Sequence, residues 1–350
     1  MARYPIDNVK IKEFGPFRDA NVALSSGLNV IVGNNGAGKS QLLKLLYSCA
    51  EVVHGSESFT KKELNVALAS KLKGVFRPDK LGRLTRRRTG RTTAEVSLKF
   101  RGIAEPLAFN FSNLASKEVS VEKVPNARLE DQPVYLPPHE LLTLSASFVS
   151  LFDQYGLDFD ETWRDTVSLL LVPALRGPRG EQASQVLGPF TDLLEGGKVS
   201  ENNGRFYLSQ PGIGNLEAPL LAEGHRKLAM IVRLIANGQL LEGGYLFWDE
   251  PEANLNPASQ KAVCQALLYL AESGAQVFVA THSSYLLREL QMSESTADIN
   301  YIGLSRQTPV ESPQDTVAHV TAESSSELEE LSFIASLDAE AQQAERFLAW

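Results

Sequence analysis

Short apolar runs alternate with amphipathic stretches along most of this chain. Val9-Lys10-Ile11-Lys12 alternates strictly, and Asn21 to Leu24 resumes after a turn at Gly15-Pro16, which predicts two opening strands. Leu28-Asn29-Val30-Ile31-Val32 is a near-continuous apolar run, the pattern of a parallel strand buried on both faces. It ends at Gly33. After a glycine-rich turn, Ser40 to Val53 carries Leu42, Leu43, Leu45, Leu46 and Cys49 at helical spacing. Residues 61–91 begin as a helix and end in the loop Thr85 to Thr92. Three alternating segments follow, Thr93–Phe100, Leu107–Phe111 and Val119–Val124, which read as an antiparallel meander. Val134-Tyr135-Leu136 is a further strand, stopped by Pro137-Pro138. Leu141 to Leu194 is helical in pattern, and glycines at 196, 197 and 204 bracket a small hairpin containing Phe206-Tyr207-Leu208.

From about Leu216 strands and helices alternate again. A helix is predicted over Leu228–Leu241, a buried strand at Tyr245–Trp248, a helix over Ser259–Glu272 closed by Gly274, and strands at Gln276–Ala280 and Ile299–Leu304. Such a succession implies a parallel sheet with crossover helices, hence an α/β fold. The tail after Ser305 is polar, then reads as an amphipathic helix carrying Leu328, Leu331, Ile334, Leu337, Ala341 and Leu348. These patterns divide the chain into a core (1–60 and 215–310), an inserted lobe (61–214) and an acidic tail with a helix (311–350).

Length and charge refine this picture. At 350 residues the chain exceeds what one simple core needs. Its net charge of −8 is unevenly spread. Residues 61–91 hold eleven basic residues against Glu63 and Asp79, while Gln314 to Trp350 holds eight acidic residues and one basic, Arg346. The basic segment fits contact with nucleic acid phosphates, or equally a solvated loop or a surface paired with acidic protein. The acidic tail suits docking to a partner, to the basic lobe, or to its own core. There is no run long and apolar enough for a membrane span and no leader-like block at Met1 to Lys12, and Cys49 and Cys264 offer neither a disulfide framework nor a metal cluster. A cytoplasmic protein without membrane contact is expected.

The chemistry concentrates in three places. Gly33-Asn-Asn-Gly-Ala-Gly-Lys-Ser40 matches the P-loop spacing and lies between an apolar strand and a helix, as its mechanism requires. The glycines let the backbone close on phosphate oxygens, so the amides of Asn34, Asn35, Gly36, Ala37, Gly38, Lys39, Ser40 and Gln41 are expected to line ATP. Lys39 supplies a charge near the β- and γ-phosphates, Ser40 a hydroxyl for Mg²⁺, and the helix its positive end. Leu246-Phe-Trp-Asp-Glu250 ends an apolar strand in two carboxylates. Asp249 is expected in the Mg²⁺ shell, and Glu250 to polarise the attacking water. Thr281-His282-Ser283 follows the next strand, where a neutral His282 can bond the γ-phosphate or the water. An ATPase is expected.

These motifs, in this order, resemble the ABC ATPase superfamily. Asp249-Glu-Pro-Glu252, Ala253-Asn-Leu-Asn-Pro257 and Thr281-His-Ser283 look like its Walker B, D-loop and H-loop. Ile11-Lys-Glu-Phe14 through Ser40 is similar to the RecF/SMC/OLD branch, and within it the chain resembles the compact PtuA-like ATPases of Septu and retron-associated anti-phage defence modules. The resemblance covers roughly residues 1–55 and 215–305. It implies a P-loop NTPase of the ABC ATPase head type, carrying the meander and the inserted helical lobe, and an ATP-sandwiched homodimer or higher oligomer. In that dimer a signature loop caps the partner's nucleotide. The matching stretch is Leu221 to Lys227, which lacks the family's serine at Ala222 or Glu223. Gly224, the helix dipole and Arg226 or Lys227 are the expected substitutes, against the plainer reading of an ordinary helix start. The family's Q-loop falls at Tyr135–Glu140, without a glutamine, leaving His139 or Glu140 in its place. Tyr4, Phe14 and Phe17 are candidates for stacking on adenine or for plain core packing.

Lys39 and Asp249 stand 210 residues apart, longer than in transporter ATPases and shorter than in long-armed SMC proteins. Sustained heptads are absent. The segment after Leu304 is too short for the nuclease domain of OLD proteins, so effector activity is expected from a separate chain, a nuclease or toxin. The leading expectation is an ATPase that dimerises around ATP and controls that effector in anti-phage defence. The alternatives are a stand-alone RecF/SMC-like DNA-repair ATPase and a non-hydrolysing ATP-sensing scaffold.

Overall fold

The computed structural model describes residues 2–56, 59–88, 90–144, 147–241, 243–307, 317–332 and 334–348. The chain opens with a hairpin of β1 (Ile6–Phe14) and β2 (Phe17–Ala23), then β3 (Leu28–Gly33), α1 (Lys39–Gly55) and α2 (Lys61–Phe76). The meander is β4 (Thr93–Phe100), β5 (Leu107–Ser112) and β6 (Ser120–Lys123), and β7 (Pro133–Leu136) follows. Next come α3 (Ser147–Tyr155), α4 (Glu161–Leu171), α5 (Pro178–Val186) and α6 (Gly188–Leu193), then β8 (Lys198–Asn202), β9 (Arg205–Gln210) and β10 (Gly214–Glu217). The final stretch holds α7 (Glu223–Ala236), β11 (Tyr245–Asp249), α8 (Pro257–Glu272), β12 (Gln276–Thr281), α9 (Ser284–Gln291), β13 (Ile299–Gln307), β14 (His319–Ser325) and α10 (Ala335–Leu348).

Eleven strands form one sheet in the order β6-β5-β4-β1-β2-β14-β13-β3-β12-β11-β7. The block β13-β3-β12-β11-β7 is parallel, and the β2-β1-β4-β5-β6 block is antiparallel. Two apolar layers sandwich the sheet. Leu28, Val30, Val32, Leu246 and Trp248 face α7, α8 and α9, whereas Ile31, Phe247 and Phe278 face α1, with the two rings stacked 4.7 Å apart. Burial on both faces explains why these strands are continuous apolar runs. The helices start on local caps: Thr60 accepts from the Glu63 amide, Asn256 from Ser259 ahead of Pro257 at the first turn, and Ser283 from Leu286.

Two placements depart from the sequence expectations. The meander does not stand apart in a lobe with the helical segment: β4 pairs with β1 along its length and extends the core sheet, while α3–α6 and the separate sheet β10-β9-β8 pack elsewhere. The tail contributes a strand, β14, that no apolar run announced; it pairs antiparallel with β13, and Val320 bridges to Phe17. Leu328, Leu331 and Ile334 are buried, and Arg288 and Ser284 of α9 hold Glu340 of α10, so the tail packs on its own core. Phe347 and Leu348 are exposed, while Trp350 lies outside the described residues.

The basic segment is partly consumed by the fold. Lys71 is buried between Asp165 (2.7 Å) and Glu161 (2.8 Å), Arg77 pairs with Asp158, and Arg86, 2% exposed, faces Glu13. Of the loop from Thr85 to Thr92, Thr89 lies outside the described residues. Phe14 and Phe17 are wholly buried, Phe14 against Phe76 and Phe111, so neither offers a face to an adenine ring. Tyr4 is half-buried, with the Arg3 guanidinium 5.4 Å from its ring centre.

Candidate nucleotide site

The parallel register brings the carboxyl ends of β3, β11 and β12 side by side, where ligands of open α/β sheets bind. β3 ends at Gly33, and the turn to α1 passes through Gly36 (φ 78°) and Gly38 (φ 92°), the latter standing at the helix N-cap. A Cβ at Gly38 would lie 2.7 Å from Pro16 Cγ, so the turn rests against the β1–β2 hairpin. Asn34, Asn35 and Gly36 are exposed, Ala37 and Gly38 are buried, and Gln41 is exposed on the first turn of α1.

Lys39 is buried, and its Nζ donates to the carbonyls of Gly33 (2.8 Å) and Asn34 (3.3 Å). Burial lowers its pKa, opposed by the charges of Glu250, Asp249 and Glu252. The Ser40 hydroxyl donates to Asp249 Oδ1 at 3.0 Å, joining the P-loop helix to the end of β11. Burial raises the Asp249 pKa, and hydrogen bonds from Ser40 and from Tyr135, whose hydroxyl lies 3.3 Å from Oδ2, oppose that rise.

Glu250 begins the turn after β11 with φ 46°, held by its amide on Ala280 O at 2.8 Å. His282 is half exposed, with Nδ1 3.5 Å from both Glu250 Oε1 and Glu252 Oε1. Glu252 is 5% exposed, and its Oε1 accepts from the Thr281 hydroxyl (2.7 Å) and the His282 amide (3.0 Å). From α7, the fully buried Lys227 donates to Pro251 O (3.1 Å) and Ala253 O (2.8 Å), and burial pulls its pKa down to about 8. A cavity of about 510 Å³ opens beside this group, lined by Gly33, Asn34, Asn35, His282, Arg306 and Ser336 among others. The set combines a glycine turn at a helix N-terminus, a buried ammonium, a hydroxyl–carboxylate pair and a solvent-reaching carboxylate next to an imidazole. Those are the parts needed to hold a polyphosphate and direct water at it.

A family model described as "AAA domain, putative AbiEii toxin, Type IV TA system" matches residues 105–288, more than half of the chain. The chain belongs to this AAA-domain family. A second model, described as "AAA domain", matches residues 8–116 and so covers the P-loop. The lipoprotein-releasing system ATP-binding protein LolD of Aquifex aeolicus (strain VF5) is 30% identical over 116 residues, 31% of this chain and 50% of that protein. The chain thus spans about half the length of that relative.

Two solved Smc heads share the fold. One is the Smc head domain with an extended coiled coil bound to the C-terminal domain of ScpA, from Pyrococcus furiosus (TM-score 0.52, 14% identity, 98% of this chain and 99% of that one). The other is an SmcHead bound to the C-winged helix domain of ScpA (TM-score 0.53, 16% identity, 91% and 98%). The chain thus combines an AAA-domain family assignment with the P-loop head fold of these Smc heads.

The signature-like stretch Leu221–Lys227 opens a helix. α7 begins at Glu223, so Gly224 and Arg226 lie inside its first turn. A Cβ on Gly224 would sit 2.7 Å from Ser259 Oγ, which makes this glycine a close-approach position between α7 and α8. Arg226 is not free to reach outward: its Nε lies 3.0 Å from Glu140 Oε1 and its Nη1 donates to Leu221 O at 2.6 Å. Glu140 is therefore engaged by Arg226, and His139 packs beside Trp163, 5.9 Å between ring centres. Sequence reasoning assigned no role to Glu252, Tyr135 or Arg306 and gave Lys227 only an outward one. The Asp249-Glu-Pro-Glu phrase contains Glu252, but nothing in the sequence says that it turns back onto Thr281. Among the described residues no helix is long and apolar enough to cross a membrane.

Proposed function

We propose that this ATPase binds ATP between the P-loop and the Asp249–Glu250 edge, hydrolyses it there, and closes over it with a second copy to control a separate effector protein. The observation that carries the catalytic part is the 3.0 Å bond from Ser40 to Asp249, which unites two motifs 209 positions apart. The donors suit Mg²⁺: a hydroxyl and a carboxylate, both hard oxygens, converge beside the phosphate loop, and Mg²⁺ characteristically takes only one or two protein carboxylates besides water and phosphate. Ser40 and Asp249 would hold the ion, which supplies charge neutralisation for the phosphates. The amides of 34–41 cradle the triphosphate and Lys39 neutralises its outer charge. Glu250 orients and polarises the attacking water, and His282 bonds the terminal phosphate.

Control of an effector in anti-phage defence is supported by the PtuA-like sequence resemblance and by a family description that names a toxin of a toxin–antitoxin system. Both Smc heads are bound to a ScpA domain, which favours a protein partner here too. That partner would dock on the 61–214 region or the 311–350 tail. Nucleic acid contact, where it occurs, falls to the exposed Arg83, Arg87 and Arg91 rather than to Arg86. Two observations favour the scaffold reading: the signature-like turn lacks a serine, and Arg226 is tied to Glu140.

Phosphate release by the wild type and by Glu250→Gln separates these readings. Turnover in the wild type that falls at least about 100-fold in E250Q, with ATP-dependent dimerisation retained by sedimentation, is expected for loss of the water-orienting group. Release no higher than the no-enzyme background from both proteins would leave only the scaffold, and equal release above background would remove Glu250 from the water-orienting role.

A further inference from the structure

We propose that Arg306 is a second cation for the terminal phosphate, giving this ATPase its discrimination of ATP from ADP. The inference rests on the nucleotide reading above and adds a residue to it. β13 runs parallel to β3 with Leu304 opposite Gly33, so Arg306 overhangs the sheet edge two residues beyond the point where the P-loop begins. Side chains alternate along a strand. Ile302 and Leu304 are buried in the layer that contains α1, which places Arg306 on the same side as α1 and the loop.

Two observations identify the end of the nucleotide it faces. Lys39 Nζ, the group that meets the β- and γ-phosphates in such loops, lies at the Gly33 and Asn34 carbonyls. The cavity that Arg306 lines is walled by Gly33, Asn34, Asn35, Thr281 and His282, so it borders that phosphate end and the imidazole. Its volume of about 510 Å³ leaves room for a phosphate group and water. Arg306 is exposed and has no ion-pair partner among the described residues, whereas Lys44, Lys71, Arg86 and Arg226 are all committed to carboxylates. A guanidinium presents a planar fork of donors matched to phosphate oxygens.

The test is calorimetric binding of Mg²⁺ with ADP and with a non-hydrolysable ATP analogue to the full chain, for the wild type, R306A and R306K. R306A should weaken the ATP analogue about tenfold, which is about 1.4 kcal/mol, and leave ADP within about twofold; R306K should recover part of the loss. An unchanged ATP-to-ADP preference in R306A overturns the inference, as does equal weakening of both nucleotides. A preserved preference with impaired ATP-dependent dimerisation also overturns it and assigns Arg306 to the second copy. A wild type that binds neither nucleotide would remove the P-loop reading and this inference together, an outcome distinct from the other three.

Discussion

Removing the carboxylate of Glu252 should loosen the His282 turn and destabilise the fold. Glu252 is buried, and one of its oxygens accepts both from the Thr281 hydroxyl at 2.7 Å and from the His282 amide at 3.0 Å. Hydrogen bonds to a charged group contribute roughly 1.5–3 kcal/mol each, so E252A loses about 3–6 kcal/mol, a large share of a total that is typically about 5–15 kcal/mol. E252Q keeps an acceptor oxygen in place and forfeits mainly the charge assistance, so about 1–3 kcal/mol is expected. Urea unfolding reads the difference as a shift in midpoint at constant slope. Phosphate release at saturating ATP, measured in parallel, should fall about tenfold in E252Q through misplacement of His282, with little change in KM. If E252A unfolds within about 1 kcal/mol of the wild type, the Glu252–Thr281–His282 network does not hold the turn and the reasoning fails.

Two further predictions follow from local physics. Burial holds the Lys227 amine at about 8 rather than its usual 10.5, so between those values the unfolded chain binds more protons than the folded one. Stability should therefore rise by roughly 3 kcal/mol as pH climbs from 8 to 10.5, and K227M should lack that rise in urea midpoints taken across the range; parallel curves would refute it. Gly36 and Gly38 both sit at positive φ, but a Cβ at Gly36 meets nothing within 4 Å while one at Gly38 meets Pro16 at 2.7 Å. G36A should cost about 1–2 kcal/mol from backbone strain alone, and G38A clearly more; equal thermal shifts would mean that the loop does not rest on the hairpin.

The strands β3, β11 and β12, the P-loop helix and the three motif-bearing turns were legible from the chain because each depends on nearest neighbours. β3, β11 and β12 are apolar on both faces, glycines stand where φ must be positive, and Asn256 and Ser283 cap the helices that follow them. The inserted meander was recognised as three alternating strands, yet its union with the core sheet was not, because edge-to-edge pairing of β4 with β1 leaves no trace in either strand's pattern. β14 escaped notice for the same reason: its pattern is mostly polar, and it is a strand because β13 offers it a ladder.

Charge was read least well from sequence. The eleven basic residues of 61–91 admitted nucleic-acid contact, a solvated loop or acidic pairing, and Lys71, Arg77 and Arg86 are in fact drawn to Asp165, Asp158 and Glu13, acids from 73 to 94 positions away in the chain. Arg226 is likewise claimed by Glu140, and Arg306 became a candidate only once β13 was placed beside β3. Spacing along the chain thus determined which groups the phosphate loop and the β11 edge possess, since those contacts are local or set by strand ends. The tertiary structure decided which charges are neutralised and which remain available. A Coulomb partner is chosen by distance in space, and sequence separation carries no information about it.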